Sequence, residues 1–424
     1  MNSSFPKNLA PLKSQLTFPA GFFWGAATSA HQVEGNNRND WSEWEKANAK
    51  RLVEEAKKKH WPDYLLNAMP SPLNPENYIS GRACDHYHRF RDDFDIAQKL
   101  GHNAHRFSIE WSRIEPEEGK FDEREIEHYR EVIRALRERG LEPFVTLWHW
   151  TVPLWFKDRG GWEWKESPEA FSRFVEKTVR SLPQVRYWII LNETNVYSVF
   201  AYLIGRRPLP YKSVWKYMRV NSKLVQAHCK SYRLIKSISS SLWVGTAESN
   251  VFFEAAGLNP WNQALKLIYE FFWNRRFLNR VRDCCDFIGI NYYSHNRIDG
   301  RLNRNENKIV SDMGWELYPE GLYRVLKNVS RRYQKPVFVT ENGLADVKDD
   351  KRPTFIRTHI DAMLRAKKEG ADIRGYFYWS LLDNFEWDDG FWPRFGLVEV
   401  DYKTLERKIR PSAWEYKKII ERGL

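Results

Sequence analysis

Eight short apolar runs of β character recur along this chain, each followed by a stretch of helical periodicity, and few architectures accept that alternation. The runs cover residues 22–27, 104–109, 143–148, 187–191, 242–247, 287–292, 337–340 and 375–379. Between them, amphipathic segments at 85–100, 123–139, 168–181, 212–237, 319–333 and 354–369 space their apolar residues with the period of a helix, and 412–422 supplies a last helix. Near-continuous apolar strands interleaved with helices belong to parallel sheets covered on both faces. A doubly wound sheet commonly has fewer strands and a glycine-rich phosphate turn after the first of them, and no such turn follows residue 27. Eight units in series therefore predict an α/β fold, a single eight-stranded parallel β/α (TIM) barrel with inserted loops.

A length of 424 residues could hold two or three average domains, but barrels of this kind reach it once loops are inserted. No low-complexity linker divides the chain, so residues 1–424 read as one catalytic domain. Residues 1–16 read as an amino-terminal extension. Residues 40–80, with a charged helix and the run Pro70-Ser-Pro-Leu-Asn-Pro75, read as a surface insertion in the first unit.

The aromatic complement is high, with 20 Trp, 20 Tyr and 25 Phe, enough for a large core and for platforms that take the C–H faces of sugar rings. The formal charge of +12 is compatible with nucleic acid, yet the basic residues read as scattered among acids on solvated helix faces, and only 301–308 resembles a basic loop. No nucleic-acid partner is expected. Cys84, Cys229, Cys284 and Cys285 follow neither zinc-ligand nor disulfide spacing, so reduced thiols are the default. No leader-like or bilayer-spanning stretch stands out, which predicts a cytoplasmic protein without a membrane partner. A homo-oligomer stays open.

Two glutamates carry the chemical reading. Glu193 and Glu341 each stand just past a strand-like run, at 187–191 and 336–340. In parallel β/α folds catalytic groups stand at the carboxyl ends of strands, so two acids on different strands can meet in one pocket. Glycosidic bond hydrolysis needs such a pair: one acid protonates the departing oxygen, and an ionised partner attacks the anomeric carbon or activates water. Taken alone, a glutamate after a strand is more often a solvated loop residue or a helix cap.

Six motifs in order reverse those odds. Phe18-Pro-Ala-Gly-Phe-Phe-Trp-Gly-Ala-Ala-Thr-Ser-Ala-His-Gln-Val-Glu-Gly35, Arg106-Phe-Ser-Ile-Glu-Trp-Ser-Arg113, Thr146-Leu-Trp-His-Trp150, Gly289-Ile-Asn-Tyr-Tyr293, Val339-Thr-Glu-Asn-Gly343 and Trp379-Ser-Leu-Leu-Asp-Asn-Phe-Glu-Trp387 together resemble glycoside hydrolase family 1, the β-glucosidase and β-galactosidase family. Within it, residues 340–411 resemble the archaeal β-glycosidase branch most closely. The resemblance implies that Glu341 is the nucleophile and Glu193 the general acid/base of a retaining double displacement. It places Arg106 and Tyr293 beside the nucleophile. Gln32, His149, Trp150, Asn192, Asn291 and Glu386 would bind the sugar, with Trp379, Trp387 and Phe395 as stacking surface and wall. The implied substrate is a small β-glycoside or oligosaccharide with a terminal non-reducing glucosyl residue, and galactosyl and fucosyl residues as well, and neither cofactor nor metal is required. An acid at 386 would repel phosphate, which favours neutral sugars over 6-phosphorylated ones. A transglycosylase, a 6-phospho-β-glycosidase and a non-catalytic sugar-binding protein are the rival readings.

One departure stands out. The family's acid/base motif is usually Asn-Glu-Pro, and this chain reads Asn192-Glu193-Thr194. Losing proline restores an N–H and frees φ at position 194, which predicts a less rigid loop under the acid. The stretch 196–212 is also short for that loop, which predicts a more open aglycone side.

Overall fold

Each of the eight expected runs is a strand of one closed parallel barrel, described by a computed structural model that covers residues 21–423. The extension at 1–16 lies outside the described residues. In chain order the strands are β1 (Phe23–Ala27), β2 (Ala104–Ser108), β3 (Glu142–Trp148), β4 (Tyr187–Asn192), β5 (Trp243–Ser249), β6 (Phe287–Asn291), β7 (Val337–Asn342) and β8 (Ile373–Trp379). Each pairs with its sequence neighbours, and β1 closes the ring by pairing with β2 at Gly25↔Ala104 and with β8 at Phe23↔Gly375. Gly25 permits that closure, since a Cβ there would lie 2.1 Å from the Ala104 carbonyl oxygen.

Large rings fill the lower barrel. Phe144 stacks on Tyr187 at 4.3 Å and meets Phe377 at 4.8 Å and Phe338 at 5.3 Å, while Phe23 completes the plug against Phe144 at 5.1 Å. Because Phe23, Tyr187 and Phe338 lie at the starts of β1, β4 and β7, this floor seals the amino-terminal end. Chemistry is confined to the other mouth.

The outer layer consists of α1 (His86–Lys99), α2 (Glu123–Glu138), α3 (Ser167–Ser181), α4 (Val214–Ile238), α5 (Arg276–Val281), α6 (Pro319–Tyr333), α7 (Arg352–Lys368) and α8 (Pro411–Gly423). In α2 the side chain of Asp122 accepts from the Arg124 N–H at 2.9 Å and starts the helix. Its buried Ile126, Tyr129, Val132, Ile133 and Leu136 form one apolar stripe. Burying each such large side chain contributes about 1.5–3 kcal/mol, an upper figure because unfolded chains already bury some surface.

The fifth unit differs from the sequence reading. Its helical stretch starts as Pro260–Tyr269, passes through a π-helical turn Glu270–Arg275 and ends in α5. Several of its apolar side chains face outward, so no one-sided stripe marks it. Two small sheets, Phe252–Ala255 with His295–Ile298 and Val398–Val400 with Arg407–Ile409, are too short to carry a period.

Nor is the segment at 40–80 merely superficial. Its helix Asp40–Ala56 opens with a capping box, in which Asn39 Oδ1 accepts from the Ser42 N–H and Ser42 Oγ accepts from the Asn39 N–H, each at 2.9 Å. Trp41, Glu45, Leu52 and Val53 are buried, and the Trp41 ring meets Trp387 at 4.7 Å. The insertion thus backs the wall of the barrel mouth. Just past the carboxyl end of β8, buried Asp383 accepts from Arg410 at 2.8 and 2.9 Å, from Arg394 at 3.3 Å and from the Gly396 N–H at 2.9 Å. Burial alone would raise its pKa, but the Arg410 and Arg394 guanidiniums outweigh it and hold the carboxyl below the usual range.

Candidate active site

The mouth is assembled from the last residues of the strands. Asn192 ends β4, and Glu193 follows it in left-handed conformation at φ 47°, as the residue that opens the short helix Thr194–Ser198. Asn291 ends β6, with Tyr293 two residues beyond. Glu341 is in β7 itself, so the strand runs further than its apolar pattern indicates. Beyond it, a Cβ at Gly343 would come within 1.8 Å of the Trp379 carbonyl oxygen, so glycine lets the ends of β7 and β8 meet.

One hydrogen-bond network joins these groups. Arg106 of β2 is fully buried; its Nη1 donates to Glu341 Oε1 at 2.5 Å and to the Thr340 carbonyl at 3.1 Å, its Nη2 to Asn192 Oδ1 at 2.7 Å and its Nε to Thr146 Oγ1 at 3.2 Å. The Tyr293 hydroxyl donates to Glu341 Oε2 at 2.7 Å, so both oxygens of that carboxylate are held. Asn291 Nδ2 donates to Glu193 Oε1 at 3.0 Å and to Asn192 Oδ1 at 3.1 Å, and its own Oδ1 accepts from Thr340 Oγ1 at 2.7 Å.

Arginine can only donate, so its bond fixes the Asn192 amide with Nδ2 facing His149 Nε2 at 3.1 Å. His149 Nε2 is then the acceptor and Nδ1 carries the proton. That buried Nδ1–H has no protein partner, leaving a donor for a ligand hydroxyl. Burial, then the charge of Arg106, holds His149 well below the usual imidazole range and keeps it neutral.

The two glutamates differ in environment. Burial first, then the neighbouring Glu341 charge, drives Glu193 well above the usual carboxylate range. Burial raises Glu341 too, but Arg106 and the Tyr293 hydroxyl oppose it. Of the pair, Glu341 ionises first and the proton stays on Glu193.

A second group faces them. Gln32, in the helical turn after β1, donates through Nε2 to Asn384 Oδ1 at 3.0 Å, the Phe385 carbonyl at 2.8 Å and Glu386 Oε2 at 3.2 Å. Burial, then Asp389, lifts the Glu386 carboxyl to about 8. Near neutral pH it is mostly protonated, a hydrogen-bond donor as well as an acceptor, so the repulsion of phosphate expected from an ionised group at 386 is largely absent.

Aromatic rings complete the wall. His149 stacks with Trp379 at 6.0 Å and with Trp387 at 5.8 Å, and Trp150 meets Trp387 at 4.6 Å while its Nε1 donates to the Asn192 carbonyl at 3.1 Å. Phe395 lies 6.2 Å from both Tyr293 and Trp315. Trp150, Glu193 and Trp387 all have positive φ, which for non-glycine residues stores about 1–3 kcal/mol each. All thirteen residues singled out from the sequence converge on this mouth.

Other features of the site escaped that reading. Glu248, fully buried near the end of β5, accepts from Thr194 Oγ1 at 3.0 Å and Thr246 Oγ1 at 3.1 Å, and the backbone N–H groups of Thr194 and Asn195 also bond to it. Burial lifts it to about 8 against those bonds. The expected loosening at position 194 is therefore corrected: where proline would offer neither N–H nor hydroxyl, threonine ties the backbone behind Glu193 to β5. The clue was an acid just past the apolar run at 242–247. The segment 196–212 is likewise anchored, because the Arg207 guanidinium lies over Trp150 at 4.7 Å and Phe200 at 4.6 Å and bonds Asp388 at 3.0 Å. Trp315 joins the wall from a loop without any periodic signal.

Comparison with known proteins places the family and the fold. The family profile described as Glycosyl hydrolase family 1 matches residues 14–278 and 272–423. The chain is 32% identical to a 1,4-beta-D-glucan glucohydrolase of Thermotoga neapolitana, over 95% of this chain and 98% of that one. It is 31% identical to a beta-galactosidase of Sulfolobus acidocaldarius, over 95% of each. Among solved structures, a beta-glycosidase from Pyrococcus horikoshii superposes with a TM-score of 0.86 at 36% identity, over 96% of both chains. A beta-glucosidase from Thermotoga maritima in complex with castanospermine gives 0.84 at 29% identity, over 96% of this chain and 99% of that one. The chain belongs to glycosyl hydrolase family 1 and is an enzyme.

Proposed function

We propose that this enzyme is a retaining β-glycosidase that removes terminal non-reducing β-D-glucosyl residues, and galactosyl or fucosyl residues as well, from small glycosides. The observation that carries the reading is the unequal setting of the two glutamates: Glu341 held by a cation and a phenol, Glu193 buried beside it without a cation partner. In the first step Glu341 attacks the anomeric carbon while protonated Glu193 gives its proton to the departing oxygen. The glycosyl-enzyme neutralises Glu341, and with that charge gone the pKa of Glu193 falls. Glu193 then takes a proton from water, which attacks the same carbon and releases a sugar of unchanged anomeric configuration.

The remaining groups act on the glycone. Asn192 faces the 2-hydroxyl, where contacts strengthen in the transition state. His149 Nδ1–H and Asn291 add hydrogen bonds. Gln32 and Glu386 take two adjacent hydroxyls at the far side of the ring, with Trp379 beneath it and Trp150, Trp387 and Phe395 as wall. The relatives named beta-glucosidase and beta-galactosidase support this glycone class.

Substrates with graded leaving groups test the assignment. Glu193→Ala should slow alkyl β-glucosides far more than nitrophenyl β-glucosides, because good leaving groups depart without protonation, and proton NMR should show the β-anomer as first product. Equal losses across leaving groups, or an α-anomer, would refute the roles. Chromatography of the products with added alcohol acceptors separates hydrolysis from dominant transglycosylation.

A further inference from the structure

The exposed apolar side chains of this enzyme are gathered on one side of the mouth. Of fourteen large ones that stand exposed among the described residues, all but Met69, Leu73 and Ile309 lie in two segments, 203–218 and 258–272. Trp215 is 82% exposed, Leu258 94% and Trp261 61%, and Met218, Leu267 and Phe272 add to them. Isolated exposed apolar residues are ordinary, but a gathering of this size marks a surface that meets something.

The two segments are joined and share a face. Arg276 lies over the Tyr217 ring at 5.2 Å and over the Phe272 ring at 5.8 Å, so the start of α4 and the end of the π-helical turn meet across one guanidinium. Val214, Trp215 and Met218 belong to the first turns of α4, which descends from the mouth, and 258–272 belongs to the excursion that follows β5. Both therefore border the catalytic opening on its β4–β5 side. The Asn195 side chain bonds the Trp273 carbonyl at 3.1 Å, tying the second segment to the helix behind Glu193.

Charge follows the same map. Residues 199–223 hold six basic side chains, Arg206, Arg207, Lys212, Lys216, Arg219 and Lys223, and no acid. Residues 256–282 hold five basic side chains against the single acid Glu270. Six and four make ten of the chain's net +12, so the positive charge is not scattered as its helix faces indicate but concentrated where the apolar residues emerge. Within the patch Glu270 pairs with Arg275, Glu163 from the neighbouring loop pairs with Lys216 at 2.5 Å, and buried Asp388 pairs with Arg206 at 2.5 Å and Arg207 at 3.0 Å, while Lys212, Lys223, Arg276 and Arg280 have no carboxylate partner among the described residues and keep the local balance positive.

We infer that this face docks on an anionic lipid surface, with Trp215, Trp261 and Phe272 entering the headgroup boundary and the basic rim meeting the phosphates. Aromatic and aliphatic side chains beside Lys and Arg, on a surface element of low mean hydropathy, are the composition of an interfacial anchor rather than of a span. No helix among the described residues is long and apolar enough to cross a membrane. A second copy of the same face would bring two strongly positive rims together. Single-stranded nucleic acid would use the aromatic rings but has no contact to offer Leu258, Leu267, Ile268 and Met218.

Flotation of the full chain with vesicles decides the matter. The protein should rise with phosphatidylglycerol–phosphatidylcholine vesicles, less with phosphatidylcholine alone, and less again as salt is added. Trp215→Ala combined with Trp261→Ala should lower the partition coefficient about tenfold or more, since interfacial binding scales with buried apolar area. Thermal unfolding and hydrolysis of a soluble nitrophenyl glucoside should not change in that variant. Absence from the anionic vesicle fraction would overturn the inference, and so would flotation indifferent to the double substitution. A dimer in sedimentation that this substitution dissolves, or an oligonucleotide that displaces the vesicles, would assign the face to another occupant.

Discussion

Replacing Tyr293 with phenylalanine removes one hydrogen bond from Glu341 and little else. The phenol lies 2.7 Å from Oε2, while the ring contacts to Trp315 at 5.8 Å and Phe395 at 6.2 Å survive the change. Burial and the adjacent carboxylates drive the Tyr293 pKa well above its usual value, so the group is a donor throughout the working range. It therefore favours the ionised form of Glu341. A hydrogen bond to a charged group contributes about 1.5–3 kcal/mol, which corresponds to roughly a tenfold to hundredfold change in an equilibrium, so its loss should raise the Glu341 pKa. A protonated nucleophile is inert. The sign follows: the acid limb of kcat/KM moves to higher pH, and activity falls about tenfold to a hundredfold more on that limb than on the plateau. The profile should be measured with a nitrophenyl β-glucoside, whose departure depends least on Glu193. An acid limb that stays where it was, in a folded variant, would refute the electrostatic role given to Tyr293.

Three further outcomes are expected. Glu341→Gln should leave the fold intact by circular dichroism and abolish turnover of every β-glycoside, and residual turnover above about a thousandth of the parent would argue against a covalent role. Thr194→Pro restores the common family residue yet removes both the N–H and the hydroxyl that bind buried Glu248; it should destabilise by about 2–4 kcal/mol in denaturant titration and lower kcat, whereas a neutral or stabilising effect would show that the pairing is incidental. Asp383→Asn leaves Arg410 and Arg394 buried without their anion and should cost about 3–5 kcal/mol of stability. Because the folded pKa of Asp383 lies below its unfolded value, its contribution is present above the unfolded value and fades as pH falls through the folded one, so the difference between parent and variant should shrink in acid.

The barrel was legible because its strands are covered on both faces and read as unbroken apolar runs, as in Tyr187-Trp-Ile-Ile-Leu191. The site was legible through motifs whose residues meet only in three dimensions, Arg106 and Glu341 being 235 positions apart yet bonded. What stayed hidden had no periodic or motif signal. The helix Pro260–Tyr269 shows its apolar residues to the outside, so the cue of a buried stripe is missing. Glu248 is a lone acid in sequence, and only the fold brings Thr194 against it. The protonation of Glu386 is a property of burial, and letters of sequence carry burial poorly. Glu341 belongs to β7 although the apolar pattern stops at Thr340, because parallel pairing with Asn291 of β6 continues past it.

The ring of phenylalanines and Tyr187 below the catalytic layer has a further consequence. With its lower end stoppered the barrel offers a ligand a single doorway, at the carboxyl ends of the strands. A product leaves along the route by which the next substrate enters.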